Sequence, residues 1–572
     1  MNEQQGSGAA VRRWAEMGAG VALFLASAAV VLWQNAHLTV LWDVSYILET
    51  ASRIAAGDVP YKDFAIPYAP LTFLVQASII KLAGRVFWHH ILYAAITGAL
   101  ASVLCWRVLL GQLRGRVAHA SWTAFLLALP LIPLGIYAIF PHPFYDCDAS
   151  LVMLLGLWML QRSQRASWPA LLSCCTGAVL VLPVFIKQNT GLIFAACSLL
   201  AIVLLVLRGG TGIRRGGLWL LAGAASALAI ALLLLQATAG LGNYLHWTVQ
   251  FAGSRRLPGW AAMLTVYSSP ALLVWLAAAL GALALLRFAP RRWWSFASAA
   301  VLLLLPYLWS VAYLLMDNDS SERAERLLAV WPYTLILVAA LALWRVRRGG
   351  VEAVMPFVLI GMIHGAFLSQ QLWGSTYALW PFLLILCGDA VVNLRALRQD
   401  IALPWRPLLA VAMLSATLLV AGGSYAFSHE RLSYANPGEG ELHRSSLPAL
   451  RGLAMSGDFL PEFEELVRFT GTHIPPQEGI LMLPGEDLFY FTTGRRPVFP
   501  SLMFDHTVNP YNPAEIAALA AQHRVVWVVV KRNQQLGETP FDGQSETLRL
   551  LAQAGYEPFD TLDNYQILRL HR

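Results

Sequence analysis

The stretch MGAGVALFLASAAVVLWQNAHLTVLWDVSYILETASRIAAGDVPYKDFAIPYAPLTFLVQASIIKLAG (residues 17–84) decides the fold class. Residues 17–42 contain no Asp, Glu, Lys or Arg. A helix of about 20 such residues crosses the roughly 30 Å hydrocarbon core of a bilayer. Asp43 follows at once, so the chain passes from lipid to a polar face in one residue. Further charge-free blocks run 86–106, 117–145, 149–161, 166–186, 188–207, 216–254, 257–286, 293–316, 327–344, 353–388 and 407–429. The block 353–388 is too long for one span, and Gln370, Gln371, Gly374 and Ser375 mark a turn inside it, giving about thirteen spans in all. No small-residue cleavage site follows the first block, which reads as a retained span rather than a signal peptide.

Across the 572 residues, 57% are hydrophobic and 13% charged, where a soluble domain carries about 25% charged residues. A soluble enzyme and a disordered chain are excluded. The net charge of +7 would suggest nucleic acid in a soluble protein; in a polytopic one it marks anchoring on the cytoplasmic side, and no nucleic acid is expected. With the N-terminus inside, the inner segments hold 19 Lys plus Arg and the outer loops before the tail hold 9, whereas acidic residues number five inside and ten outside. Six cysteines lie in or beside apolar blocks without metal or disulfide spacing and read as small apolar residues.

Residues 430–572 differ in character, with 12 basic and 18 acidic residues. PEFEELVRFT (461–470) reads as a helix, GILMLP (479–484) as a buried strand ending in a turn, and VVWVVV (525–530) as a β-branched strand. There is no P-loop, GxGxxG or nucleophile elbow in it. The expected organisation is a transmembrane domain, 1–429, with a first outer loop at 43–85, and a soluble extracytoplasmic α/β domain, 430–572, with a binding or lid role. An odd number of spans places that domain outside, and the expected location is the bacterial cytoplasmic membrane.

In the first outer loop, residues 43–56 place Tyr46, Ile47, Ala51 and Ile54 at helical spacing, with Glu49 and Arg53 on another side. This predicts a helix along the membrane surface, ended by Gly57 and Pro60. PYKDFAIPYAP (60–70) is irregular and proline-fixed, and Pro70 opens a second amphipathic helix reaching Lys81. Asp43 and Asp63 of this loop join Asp146 and Asp148 of FPHPFYDCDAS (140–150) as four carboxylates near one membrane face. Such carboxylates supply a general base or bind a divalent cation (Mg, Mn or Ca). Each alone is more often a solvated helix cap. Cationic partners are Lys187 in IKQNTG (186–191), Arg255 and Arg256 in GSRRLPGW (253–260), and Arg323 with Arg326 in DNDSSERAER (317–326), all suited to phosphate oxygens. The competing reading is interfacial anchoring by snorkelling side chains, and Lys187 fits it least because its segment leaves little room for a solvated loop. His142, His246 and His364 lack metal spacing and read as structural histidines.

The pattern of Asp43 after the first span, the "GDVPYKDFAIPYAPLTF" loop, Asp146 and Asp148 in a second outer segment, "KQNTG" and an outer α/β domain resembles the GT-C superfamily of membrane glycosyltransferases. That superfamily includes protein O-mannosyltransferases and lipid A aminoarabinose transferases. The specific motifs cover about 40–190. Asp43 is followed by Val44, unlike the adjacent Asp-Glu pair of the mannosyltransferases. The resemblance implies an inverting transferase that passes a sugar from a polyprenyl-phosphate donor to an extracytoplasmic glycan, lipid or protein. It implies Asp43 as catalytic base and Lys187 with an outer arginine (Arg255, Arg256 or Arg323) on the donor phosphate. Asp63, Asp146 or Asp148 would orient the acceptor or bind a cation. Alternatives are a polymerase or ligase of O-antigen type, which works through arginines of a late outer loop, and a transporter or flippase, which would carry mid-membrane charges and matching broken helices.

Overall fold

The computed structural model describes residues 2–36, 41–256, 261, 264–290, 292–316, 329–346, 354–368, 377–397, 406–426, 441–485, 487–505, 508–534 and 541–571. Its helices are α1 (Asn2–Asn35), α2 (Leu41–Ala55), α3 (Leu71–Ala83), α4 (Phe87–Leu113), α5 (Ala120–Ala128), α6 (Leu131–Leu134), α7 (Tyr145–Arg165), α8 (Ala170–Val181), α9 (Gln188–Arg208) and α10 (Thr211–Thr238). They continue with α11 (Pro270–Phe288), α12 (Trp293–Met316), α13 (Val330–Val346), α14 (Met355–Ala366), α15 (Trp380–Leu397) and α16 (Arg406–Ala426). The protein is therefore a polytopic helical membrane protein. Among the described residues seven helices are long and apolar enough to cross a membrane: Arg13–Asn35 of α1, α4, α9, α10, α11, Trp293–Tyr313 of α12 and Pro407–Ser424 of α16. The other apolar blocks form shorter or more polar helices, so thirteen spans is more than length and composition alone deliver. The turn expected at 370–375 lies outside the described residues.

Local chemistry explains where the helices depart from the apolar blocks. Pro130 and Pro133 divide the block 117–145 into α5 and α6, because proline lacks the amide a helix interior needs. The block 216–254 yields α10 and then a turn at Gly240, whose φ of +84° is open to glycine. Helices α8 and α10 cross at backbone contact: a Cβ on Gly177 would lie 1.9 Å from the Leu220 carbonyl oxygen, and one on Gly223 1.9 Å from that of Cys174. In lipid, where no hydrophobic drive separates helix from solvent, such close approach of small residues supplies packing. Helix α7 begins earlier than its apolar block and takes Asp146 and Asp148 into its first turn, where the helix dipole favours carboxylates.

In the first outer loop, α2 and α3 pack against each other. Of the expected apolar face Ile47, Ala51 and Ile54 are buried and Tyr46 is half-buried, and Val44 and Leu48, outside that set, are buried with them. The second face of α2 is not solvated, however: Glu49 is 2% exposed and Arg53 4%. The C-terminal region covers it.

That region, from 441 onward, is α/β. A short antiparallel pair, β1 (Leu442–Arg444) with β2 (Ala454–Ser456), precedes α17 (Phe459–His473). A four-stranded sheet in the order β3-β4-β6-β5 follows, made of β3 (Gly479–Leu483), β4 (Val525–Lys531), β5 (Tyr556–Thr561) and β6 (Tyr565–Leu570). Strands β3 and β4 are parallel, with Leu481 opposite Val528, and β6 is antiparallel to both β4 and β5. Helices α18 (Phe489–Thr493), α19 (Pro513–Gln522) and α20 (Gln544–Gln553) complete it. All of β3 is buried, in keeping with the continuous apolar run of a strand covered on both faces. The boundary near 430 lies outside the described residues.

Candidate functional site at the outer ends of the helices

Asp43 sits in the first turn of α2 and is partly buried. Its charge reaches the phenol of the buried Tyr377. The Tyr377 hydroxyl in turn donates to Asp146 Oδ2 at 3.4 Å. Lys187 Nζ donates to the same oxygen at 3.0 Å, and both partners of this ion pair are at least nine-tenths buried. An aromatic wall joins the same groups. Tyr46, one turn beyond Asp43, meets Tyr68 edge-on at 5.2 Å; Tyr68 stacks on Tyr145 at 4.7 Å; and the Lys187 ammonium lies 4.3 Å from the Tyr145 ring centroid. Lys187, Asp146, Tyr377 and Tyr145 thus form one contact cluster, and Asp43 stands among the charged neighbours of Tyr377. The pairing of Lys187 with Asp146 within it was not anticipated.

Gln188 explains why the segment KQNTG lies here. Its Nε2 donates to Pro67 O at 2.8 Å and to Thr248 O at 3.4 Å, while its Oε1 accepts from Ala69 N at 3.3 Å. One amide therefore ties the proline-fixed loop to the start of α9 and to the segment 246–251. Gly191 permits the turn, since a Cβ there would lie 2.2 Å from the Pro183 oxygen.

The other candidates are placed differently. Asp148 accepts from Tyr137 Oη at 2.6 Å, Thr72 Oγ1 at 2.7 Å and Tyr93 Oη at 2.8 Å, three hydroxyls that tie α7 to α3 and α4. Asp63 is exposed and accepts from the Val59 amide at 2.7 Å, closing a turn away from the cluster. Arg255 lies 5.2 Å over the Phe251 ring and lines a cleft with Asn509, Tyr511, Asn512, Glu515 and Asp542 of the C-terminal region, not with Lys187. The Arg256 side chain and all of Arg323 lie outside the described residues. His142 packs among Phe140 and Phe144, His246 is exposed beside Gln250, and His364 bonds Tyr267 and the Ile360 carbonyl. Among the described residues no three His, Cys, Asp or Glu side chains form a group that could hold a metal. Of the four carboxylates, Asp148 accepts from three hydroxyls and Asp146 pairs with Lys187.

The residues that sequence reasoning missed are those that dock the C-terminal region on α2. Glu49 Oε1 accepts from the Phe491 amide at 3.0 Å, and burial holds its carboxyl well above the ordinary carboxylate range. Arg53 donates to Asp58 Oδ2 at 2.6 Å and to the Phe499 carbonyl at 2.6 Å; burial pulls its pKa down, against Asp58. Arg496 reaches back to Asp58, which lifts the pKa of that exposed guanidinium. Arg85 Nη1 donates to Phe491 O at 2.9 Å, and Ala65 N to Pro500 O at 3.2 Å. Only Glu49 and Arg53 gave a signal, as charges on an otherwise apolar helix.

No family model matches the chain, and no curated protein matches it. Solved structures are similar over most of its length. ArnT from Cupriavidus metallidurans bound to undecaprenyl phosphate is 13% identical, with 96% of this chain and 97% of that chain covered and a TM-score of 0.43. ArnT in the apo state is also 13% identical, with 98% of each chain covered and a TM-score of 0.45. The oligosaccharyltransferase of Archaeoglobus fulgidus in complex with Zn and sulfate is 12% identical, covering 89% of this chain and 68% of that chain, with a TM-score of 0.46. These likenesses are broad and loose, and the roles assigned below rest on this chain's own side chains.

Proposed function

We propose that the protein is a membrane glycosyltransferase that moves a hexosyl or pentosyl group from a polyprenyl-phosphate donor to an acceptor hydroxyl on the outer face of the bacterial cytoplasmic membrane. This is the activity implied by the resemblance to the GT-C superfamily. Residues 1–429 form its catalytic unit, and 430–572 its extracytoplasmic domain. The observation that supports the reading is the contact cluster of Lys187, Asp146 and Tyr377 at these helix ends, with Asp43 as a charged neighbour of Tyr377.

Asp43 takes the proton of the acceptor hydroxyl as its oxygen attacks the anomeric carbon. The new glycosidic bond forms opposite the breaking carbon–oxygen bond to the lipid phosphate, and configuration inverts. The electron pair leaves with the phosphate, whose developing charge needs an offset in the transition state. Lys187 is the cation at this place, an ammonium held by Asp146 at 3.0 Å, and a compact point charge suits a phosphate oxygen. Arg255 lines a cleft with the C-terminal domain instead of joining Lys187. Asp146 fixes the lysine, and Asp148 fixes the helix that carries Asp146.

The test uses the full chain in detergent with a panel of polyprenyl-phosphate sugars, scoring release of the lipid phosphate with and without EDTA. Asp43→Asn is expected to lower turnover by about 10²–10⁴-fold with unchanged thermal stability. Near-normal turnover in that variant refutes the base assignment. Loss of turnover in EDTA overturns the reading that the chain's own groups suffice, and movement of intact donor without phosphate release overturns transfer itself.

A further inference from the structure

On the opposite face, where α4 and α7 end, the helices enclose about 1360 Å³ of empty space, part of it continuous with the exterior. Its walls toward the membrane centre are apolar, with Leu157, Leu180, Ile202 and Val358 among them. Its rim is polar and cationic, formed by Gln112, Arg116, Gln161, Gln164, Arg165 and Asp389. Arg165 feels Arg107, Arg114 and Arg162 as its charged neighbours, and Arg116 feels Arg345 and Asp389. Among the described residues, the carboxylates near this rim already have partners. Glu16 pairs with Arg114 at 2.7 Å, and Asp389 accepts from Asn393 at 2.6 Å with Arg345 3.7 Å away. The Arg165 guanidinium makes no hydrogen bond or ion pair among the described residues. At the lip, Ser167 and Trp168 hold left-handed backbone (φ +57° and +63°), a conformation costly for residues with a Cβ. The Trp168 ring, packed on Gly216, is held at interfacial depth by it.

We propose that this cavity binds an anionic phospholipid from the leaflet on the arginine-rich face, its phosphate between Arg116 and Arg165 and an acyl chain against the apolar wall. Excess positive charge over an apolar slot is complementary to a ligand with a negative head and a hydrocarbon tail, and to no purely polar or purely apolar molecule. The site is independent of the outer cluster, since it lies at the far ends of α4 and α7. Its occupant would brace the inner ends of the helices whose outer ends carry Asp146 and Asp148.

Native mass spectrometry of the full chain with dioleoyl phosphatidylglycerol, dioleoyl phosphatidylcholine and free glycerol phosphate tests this. Phosphatidylglycerol adducts are expected about tenfold above phosphatidylcholine. Arg165→Gln, which breaks no hydrogen bond or ion pair among the described residues, should lower phosphatidylglycerol occupancy about five- to tenfold, leave phosphatidylcholine unchanged and preserve thermal stability. Raising salt to 0.5 M should erode the preference of the unaltered protein in the same way. Equal occupancy by the two lipids, or by the variant and the unaltered chain, overturns the proposal. Displacement of phosphatidylglycerol by equimolar glycerol phosphate also overturns it, by making the ligand a soluble phosphate.

Discussion

The Lys187 ammonium, 3.0 Å from Asp146 behind a wall of tyrosine rings, stands in for the solvent that a buried carboxylate lacks. Lys187→Met removes the partner and leaves the charge, which costs about 3–5 kcal/mol when a buried pair is broken from one side. Asp146→Leu in the same chain removes the stranded carboxylate, and most of that stability should return. The two variants separate support from chemistry. Thermal unfolding should show a drop in Lys187→Met and recovery in the double variant, while transfer should stay lost in both. Restored transfer in the double variant would mean that the lysine only holds the fold. The sequence exposed Lys187 as a charge with no room for a solvated loop, but the identity of its partner depends on the angle at which α7 meets α9. No local pattern encodes that angle.

Helix α2 shows both how far periodicity reaches and where it stops. Its apolar positions were legible because residues three and four apart share a face, and Ile47, Ala51 and Ile54 are buried as that rule requires. Glu49 and Arg53 read as the solvated side because Phe491 and Phe499, with which they bond, lie more than 430 residues away in sequence. The buried Glu49 carboxyl makes docking depend on pH. Its pKa is higher in the docked state than in a solvated one, so the docked state binds the proton more tightly. Docking is fully supported at low pH and loses strength as pH rises from about 4.5. Hydrogen exchange at 489–493 should quicken over that range, and Glu49→Gln, which keeps an acceptor for the Phe491 amide, should flatten the dependence. A slope of the opposite sign would show that Glu49 docks as the anion. Arg53→Ala should loosen the same segment at all pH values, because the Phe499 carbonyl and Asp58 lose a shared donor.

At the scale of the whole molecule, the fold class was legible in the apolar blocks and the C-terminal strands in the β-branched runs. The topology that joins them was not. The same contacts that hide Glu49 settle one global relation by geometry. Hydrogen bonds from Arg85 and Arg53 to carbonyls at 491 and 499 require that the C-terminal domain and the loop 43–85 share one face of the membrane. The helix ends bearing Arg116 and Arg165 then occupy the other face, because α4 and α7 each run from one to the other. By the arginine excess of its segments, that second face is expected to be the cytoplasmic one. In a variant with its six cysteines replaced, single cysteines at the exposed Lys62 and at the exposed Glu557 should both react with a membrane-impermeant maleimide on intact cells or right-side-out vesicles. A cysteine at the exposed Arg114 should react only after the membrane is opened. Labelling of Lys62→Cys without Glu557→Cys would place the domain across the bilayer from the loop it contacts and dismantle the outer site. Labelling of Arg114→Cys alone on intact cells would leave the site whole and invert it, turning the transferase to face the cytoplasm.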